Sequence, residues 1–232
     1  MAPRAAIEVR KIMKAAFFDL DETLLDRSGS LRDFVHWQAS RQLGLDTTDA
    51  VRFTDRFIAL DKNGMVWKDR VYETLIPEFS LKNWSVEDLL QSYVLTFCAF
   101  CKSRKGADIA INEFKSNGFK IGLVTNGKTP FQERNFYALG FNRFFDCVVV
   151  SEAVELRKPD RTIFELACEK VNADIHSSVF VGDNPIADVK GAKESGMKTI
   201  YVPTRESYEE CAYADETHTD LSQLAGFVDR QF

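Results

Sequence analysis

Two aspartates one residue apart, Asp19 and Asp21, could do chemistry together. Carboxylates this close repel, so without a cation among them one tends to hold its proton at neutral pH. One can then stay ionised as nucleophile or metal ligand while the other carries a proton to a leaving group. Thr23 follows them, and further groups of matching type stand far along the chain: Thr125 and Asn126, Lys158, and Asp183. Mg²⁺ takes oxygen ligands and keeps several waters, which carboxylates from two places plus a phosphate oxygen would satisfy. The Thr125 hydroxyl, the Asn126 amide and the Lys158 ammonium could grip the remaining phosphate oxygens. The cation would offset repulsion between an anionic substrate and Asp19, and keep Asp19 ionised for attack.

Such groups must be brought together by the elements that carry them. The apolar run Ala15 to Phe18 is too short for a typical helix and ends in the two acids, as a buried parallel strand does at its carboxyl edge. A bare pair of acids would fit an ordinary acidic turn, and its place directly after this run argues for the strand end. From Gly106 onward helix and strand alternate. Strands are expected at Lys120 to Thr125, Cys147 to Val150, Ser178 to Asp183 and Lys198 to Val202. Thr129, Pro130 and Gln132 read as N-cap, first helical residue and capping box of a helix that stops at Gly140, and Asp160 reads as a second cap. The alternation predicts an α/β fold, a Rossmann-like doubly wound parallel sheet. Its carboxyl ends all point one way, so Asp19, Asp21, Thr125, Asn126 and Asp183 can converge.

Between Ser28 and Ser103 apolar residues recur three and four apart and no strand interrupts them, which reads as a helical insertion. Residues 28–103 are therefore expected to form an α-helical cap domain, and 1–27 with 104–232 the catalytic core. The insertion should close over the sheet edge, hinged near Arg27-Ser28-Gly29 and Ser103 to Gly106. Within it, Lys62, Trp67, Lys68 and Arg70 either contact substrate or form a solvated helix face.

Asp19-Leu20-Asp21-Glu22-Thr23-Leu24, Thr125-Asn126-Gly127, Lys158-Pro159 and Gly182-Asp183 with Asp188 five positions on resemble, in order, the four motifs of the haloacid dehalogenase-like hydrolase superfamily. The resemblance spans about Lys14 to Val202. It implies a helical cap inserted after the first motif, Asp19 as the nucleophile that forms an aspartyl-phosphate, and Asp21 as general acid/base. It also implies phosphoryl binding by Thr125 and Lys158, and Mg²⁺ held by Asp19, the Asp21 backbone carbonyl and Asp183, with Asp188 and Thr23 behind them. Members that dehalogenate lack an acid at the Asp21 position, so the carboxylate there points to phosphate esters. The branch with a small helical cap includes phosphatases for phosphoglycolate, nucleoside monophosphates and sugar phosphates, so the expected partner is a small phosphorylated metabolite. A phosphomutase would share every motif and differ by a cap acid or base that is not identifiable here. A phosphate- or metal-sensing module would not need every catalytic position filled.

Other features set bounds. A net charge of −5 and a pI near 5.4 over 232 residues argue against a nucleic-acid surface. No apolar run approaches the ~20 residues of a membrane helix, and Met1 to Lys14 lacks the apolar stretch of a signal peptide. Five scattered cysteines fit reduced thiols, so a cytoplasmic setting is expected. Cys98 and Cys101 lie in an apolar segment with no second pair to complete a zinc site. His36, His176 and His218 show no ligand spacing. Gly122 to Thr129 matches the G-x-x-x-x-G-K-T nucleotide loop literally, but Leu123 and Val124 read as strand interior where that loop should begin.

Overall fold

Every residue of β1 (Ala15–Phe18) is buried, because the strand is covered on both faces. Alternate side chains go to opposite sides. Ala15 and Phe17 enter one core with Ile163, Phe164 and Ala167, while Ala16 and Phe18 enter the other with Ile111 and Phe114. A computed structural model describes residues 13–204 and 210–228, so the N-terminal stretch read as lacking a leader lies, through residue 12, outside the described residues.

β1 is flanked by β2 (Lys120–Thr125) and β4 (Val179–Gly182), with β3 (Cys147–Val150) beyond β2, and β5 (Lys198–Tyr201) and β6 (Glu216–Thr217) beyond β4. The sheet is parallel throughout, in the order β3-β2-β1-β4-β5-β6. Phe17 lies opposite Gly122 in register, and a Cβ on that glycine would sit 2.5 Å from the Phe17 ring. The glycine at the start of the nucleotide-loop pattern is therefore a packing residue in mid-strand. β6 was not legible as a strand, since its two polar residues carry no period.

Four helices fill the insertion: α1 (Arg27–Trp37), which runs on into a π-helical turn at Gln38–Gln42, α2 (Thr47–Asp61), α3 (Lys68–Glu78) and α4 (Val86–Thr96). Asp46 caps α2, and a Ser85–Asp88 capping box starts α4. Their apolar faces meet in an aromatic cluster. Phe34 stands edge-on to Tyr93, Phe97 and Phe100 at 5.5, 6.1 and 5.6 Å, and Phe57 to Tyr72 at 5.5 Å. The cluster reaches the sheet domain through Phe131, which stacks on Phe97 at 5.7 Å and lies 5.1 Å from Tyr93.

The chain enters and leaves the insertion side by side. Leu25 and Ser103 form an antiparallel bridge, the Asp26 N–H donates to the Lys102 carbonyl at 2.9 Å, and the Arg104 N–H to that of Leu24 at 2.8 Å. Gly29, expected at a hinge, sits instead inside α1, where the Asp26 carboxylate caps its N–H. Gly106 is left-handed, with φ +81°.

On the sheet side, α5 (Ala107–Ser116), α6 (Phe131–Ala138), the single turn α7 (Ser151–Val154), α8 (Arg161–Val171) and α9 (Gly191–Ser195) separate the strands. Asp160 caps α8 as expected. α6 departs from its reading: Pro130 takes the cap position with no side-chain cap, and the Gln132 side chain turns away from the helix end. Its destination is the site.

Candidate active site

Asp19 follows the last residue of β1 and is 7% exposed. Its backbone N–H donates to the Val181 carbonyl at 3.0 Å, which fixes it between β1 and β4. The Lys158 ammonium donates to Asp19 Oδ1 at 2.5 Å and to the Val124 carbonyl at 2.8 Å, and lies 2.7 Å from Asp188 Oδ1. Asp183 follows β4. Oxygens of Asp19, Asp183 and Asp188 lie within 4.8 Å of one another. Asp188 comes this close because Gly182 has no side chain: a Cβ there would sit 2.5 Å from the Asp188 Cβ. Its other oxygen accepts the Asn184 N–H at 3.0 Å.

Three acids share one lysine, and the electrostatics follow from that ratio. Burial pushes the Asp19 carboxyl up to about 7 against the pull of Lys158. Burial, then the charges of Asp188 and Asp19, push Asp183 well above the usual carboxylate range. Burial also works against the Lys158 charge, but Asp188 and Asp19 together outweigh it and hold the ammonium above its ordinary value. The lysine stays charged, and the cup keeps about two negative charges in excess once all three acids ionise.

Asp21 is not one of those three acids, and its Oδ2 accepts from Gln132 Nε2 at 3.0 Å. The same nitrogen lies 3.2 Å from the hydroxyl of Thr125, the buried last residue of β2. Asn126 and Lys158 grip each other's loops: Asn126 Nδ2 donates to the Lys158 carbonyl and Asn126 Oδ1 accepts the Lys158 N–H, each at 3.0 Å. Asn126 therefore sets the lysine in place and keeps one N–H for another acceptor. Thr23 is buried in the turn after Asp21, and its hydroxyl has no hydrogen-bond partner among the described residues. Glu22, at φ +57°, accepts from the Ser28 N–H and hydroxyl at 2.7 and 2.6 Å and so ties this turn to α1.

The four cap residues singled out in the sequence separate. Lys62 ends α2 in a left-handed conformation and is exposed. Arg70, with a 71% exposed side chain, pairs with Glu73 at 2.9 Å. Lys68 is 2% exposed, paired with Asp61, and 5.5 Å from the Tyr93 ring. Trp67 starts α3 and faces the sheet domain, with Lys128 Nζ 4.2 Å from its ring and Phe131 at 6.2 Å. Arg27, read in the sequence only as part of a hinge, holds both Asp61 oxygens at 3.1 and 3.0 Å. Burial opposes its charge, but Asp21 and Asp61 outweigh that and raise it; burial and Arg27 lower Lys68. Gln132, read only as a cap, is the other residue missed, and no local signal points its side chain toward Asp21.

The decoys resolve on geometry. Lys128 is exposed against Trp67, and Lys158 occupies the acidic cup. Burial pushes the Cys101 thiol up to about 12, and all five cysteines are free. His176 lies against the Gly196 carbonyl at 3.3 Å, and His218 against Glu216 at 2.7 Å.

Known proteins resemble this chain in sequence and in fold. A glyceraldehyde 3-phosphate phosphatase of Methanocaldococcus jannaschii is 27% identical over 229 residues, covering 94% of this chain and 97% of that protein. The pyrimidine 5'-nucleotidase YjjG of Escherichia coli is 28% identical over 200 residues, covering 80% and 84%. Among solved structures, a HAD phosphatase from Thermococcus onnurineus superposes with a TM-score of 0.63 at 26% identity, covering 93% of this chain and 98% of that one. The HAD-hydrolase YfnB from Bacillus subtilis, bound to magnesium, shares the fold at a TM-score of 0.69 and 21% identity, over 94% and 100%. The family model for haloacid dehalogenase-like hydrolases matches residues 16–202, from the second residue of β1 to just past β5, and so takes in the strand ends that carry the acids and lysine together with the helical insertion: the chain belongs to that family.

Proposed function

We propose that the chain is a phosphomonoester hydrolase acting on a small phosphorylated metabolite, with Asp19 as nucleophile. The observation that carries this is a buried acid beside a buried lysine at a strand end, with another acid two residues on whose carboxylate is held by Gln132. Asp19 attacks phosphorus, the bond from phosphorus to the ester oxygen breaks, and Asp21 gives its proton to the departing oxygen. Water then attacks the aspartyl-phosphate and yields its proton to Asp21, which releases phosphate and restores both acids. Lys158 and the Thr125 hydroxyl hold phosphoryl oxygens, and Asn126 keeps Lys158 in position.

Mg²⁺ fits the donor set, since all-oxygen ligands with about two uncompensated negative charges suit a hard divalent cation. Asp19, Asp183 and the Asp21 backbone carbonyl would hold it, with Asp188 and Thr23 behind them. When bound it would screen the incoming phosphate and keep Asp19 ionised.

The names of the relatives support a small substrate, and so does the cap aromatic cluster seated on Phe131. We assign residues 28–103 to the cap and the rest to the core, supported by the paired crossings at Leu25 and Ser103. Of the four cap residues we assign Trp67 and Lys68 to the leaving group, supported by the contact of Trp67 with Lys128 and Phe131 and by the closeness of Lys68 to Trp67. With Arg27 they present one positive charge in excess of Asp61 toward Asp21. No helix among the described residues is long and apolar enough to cross a membrane, and a cytoplasmic setting belongs to the same reading, supported by five free thiols. The test is turnover of a panel of small phosphate esters with Mg²⁺ and with chelator. Asp19→Asn should abolish it, because an amide cannot form the acyl-phosphate. Substantial turnover by that variant, or full turnover in excess chelator, would overturn the assignment.

A further inference from the structure

We propose that Gln132 is a positioning residue for proton transfer, which holds Asp21 by one oxygen so that the other is the one that carries the proton. The inference rests on the phosphatase reading above. Gln132 is 2% exposed, and its amide nitrogen is within reach of two site residues, Asp21 Oδ2 at 3.0 Å and Thr125 Oγ1 at 3.2 Å. The orientation of the amide is set by its far end, where Oε1 accepts from Asn135 Nδ2 at 3.4 Å. Reversing it would set a carbonyl oxygen against the Asp21 carboxylate.

An amide NH₂ can only donate. Oδ2 is therefore an acceptor whenever this bond is made, and because a carbonyl oxygen accepts better than a hydroxyl one, the bond favours the hydrogen of a protonated Asp21 on Oδ1. That resolves a problem posed by the sequence: Asp21 sits on a turn, and a free carboxyl there would present either oxygen in several rotamers. Two further features keep the amide where it is. Gly127 leaves space for it, since a Cβ there would lie 2.6 Å from Gln132 Cγ and 3.1 Å from Nε2. The preceding residue, Phe131, is stacked on Phe97 of the cap, so the turn that carries Gln132 is braced from the cap side. A glutamine that served only to bury α6 against the sheet would not need its donors on two members of the reacting site.

The test compares two esters. An alkyl phosphate such as glycerol phosphate needs a proton on its leaving oxygen, whereas nitrophenyl phosphate leaves as a stable anion and does not. Gln132→Met keeps side-chain length and removes the donor. It should lower kcat/KM for the alkyl ester about 10- to 100-fold, through kcat with KM nearly unchanged, and for the aryl ester less than about 3-fold. Gly127→Ala, whose methyl would crowd Gln132 Cγ and displace the same amide while leaving the donor in the chain, should give the same signature and supplies the test if Gln132→Met does not fold. In the Asp21→Asn background Gln132→Met should cost nothing further. Equal losses on both esters, a loss in KM alone, or additive losses with Asp21→Asn would overturn the assignment and leave the phosphatase reading intact. Turnover of neither ester by the unmodified chain with Mg²⁺ would overturn both.

Discussion

Lys158→Met removes the single positive charge from the acidic cup while keeping a side chain of similar length. In the native chain that ammonium is 2.5 Å from Asp19, 2.7 Å from Asp188 and buried. Removing one partner of a buried ion pair leaves its mate uncompensated, at a cost of about 3–5 kcal/mol. For a chain of this size each kcal/mol moves the midpoint by about 2–4 °C, so thermal unfolding should begin about 6–20 °C earlier at pH 8 without metal. The deficit should depend on pH. Asp19 is held up at about 7, above its unfolded value near 3.8, so the stabilisation from its bound proton is full below the unfolded value and fades as pH rises through about 7. Without the lysine Asp19 and Asp183 hold their protons to still higher pH, so these two are neutral at pH 5.5 and the deficit shrinks there. Mg²⁺ at pH 8 should restore part of the loss, since it supplies positive charge at the same place. Scanning calorimetry of both proteins at the two pH values checks this. A midpoint within about 2 °C of the native one at pH 8, or an equal drop at both pH values, would refute the electrostatic account.

Lys128→Ala should keep most activity, because that lysine faces Trp67 at 4.2 Å and contributes a cation–π contact of about 0.5–1 kcal/mol; Lys158→Ala should lose most of it, and steady-state kinetics on one ester ranks them. Lys62→Ala and Arg70→Ala, both on exposed positions, should leave the order of preference among phosphate esters unchanged, whereas Lys68→Gln should alter it; a substrate panel across the three variants decides. Gly122→Ala should destabilise by about 1–3 kcal/mol, since its methyl would collide with Phe17 in mid-strand; urea unfolding measures it, and a change below about 0.5 kcal/mol would contradict the packing.

What was legible in the sequence was whatever depends on local order. Ala15 to Phe18 betrays a doubly covered strand because all four residues are apolar and both faces are filled. The capping residue Asp160 acts through a neighbour two positions away, so it too could be read. Gln132 could not, because its partner Asp21 is 111 positions distant and nothing local reveals that the amide prefers that carboxylate to the helix end. The four cap residues illustrate the same limit. Amphipathic spacing says that a helix has a buried face, but not that Lys68 sits in the buried cluster at the start of α3 while Arg70, two residues later, is in solvent. Asn126 was legible as part of the site, whereas its two bonds to the Lys158 backbone, 32 positions away, were not.

The paired crossings at Leu25 and Ser103 bear on how such a molecule can change over time. In an antiparallel bridge the two Cα atoms stand about 5 Å apart, so the sheet domain meets the insertion as a gap no wider than a tight turn. The length and helix count of what fills that gap are invisible to the strand order below it. Closing a longer loop costs only about 0.6 kcal/mol per doubling, and here the bonds between residues 24–26 and 102–104 already hold the ends together. The join therefore leaves the size of the insertion free to vary from one chain to another, and the demand that remains is on its inner face, which must still meet Phe131 as Phe97 does here.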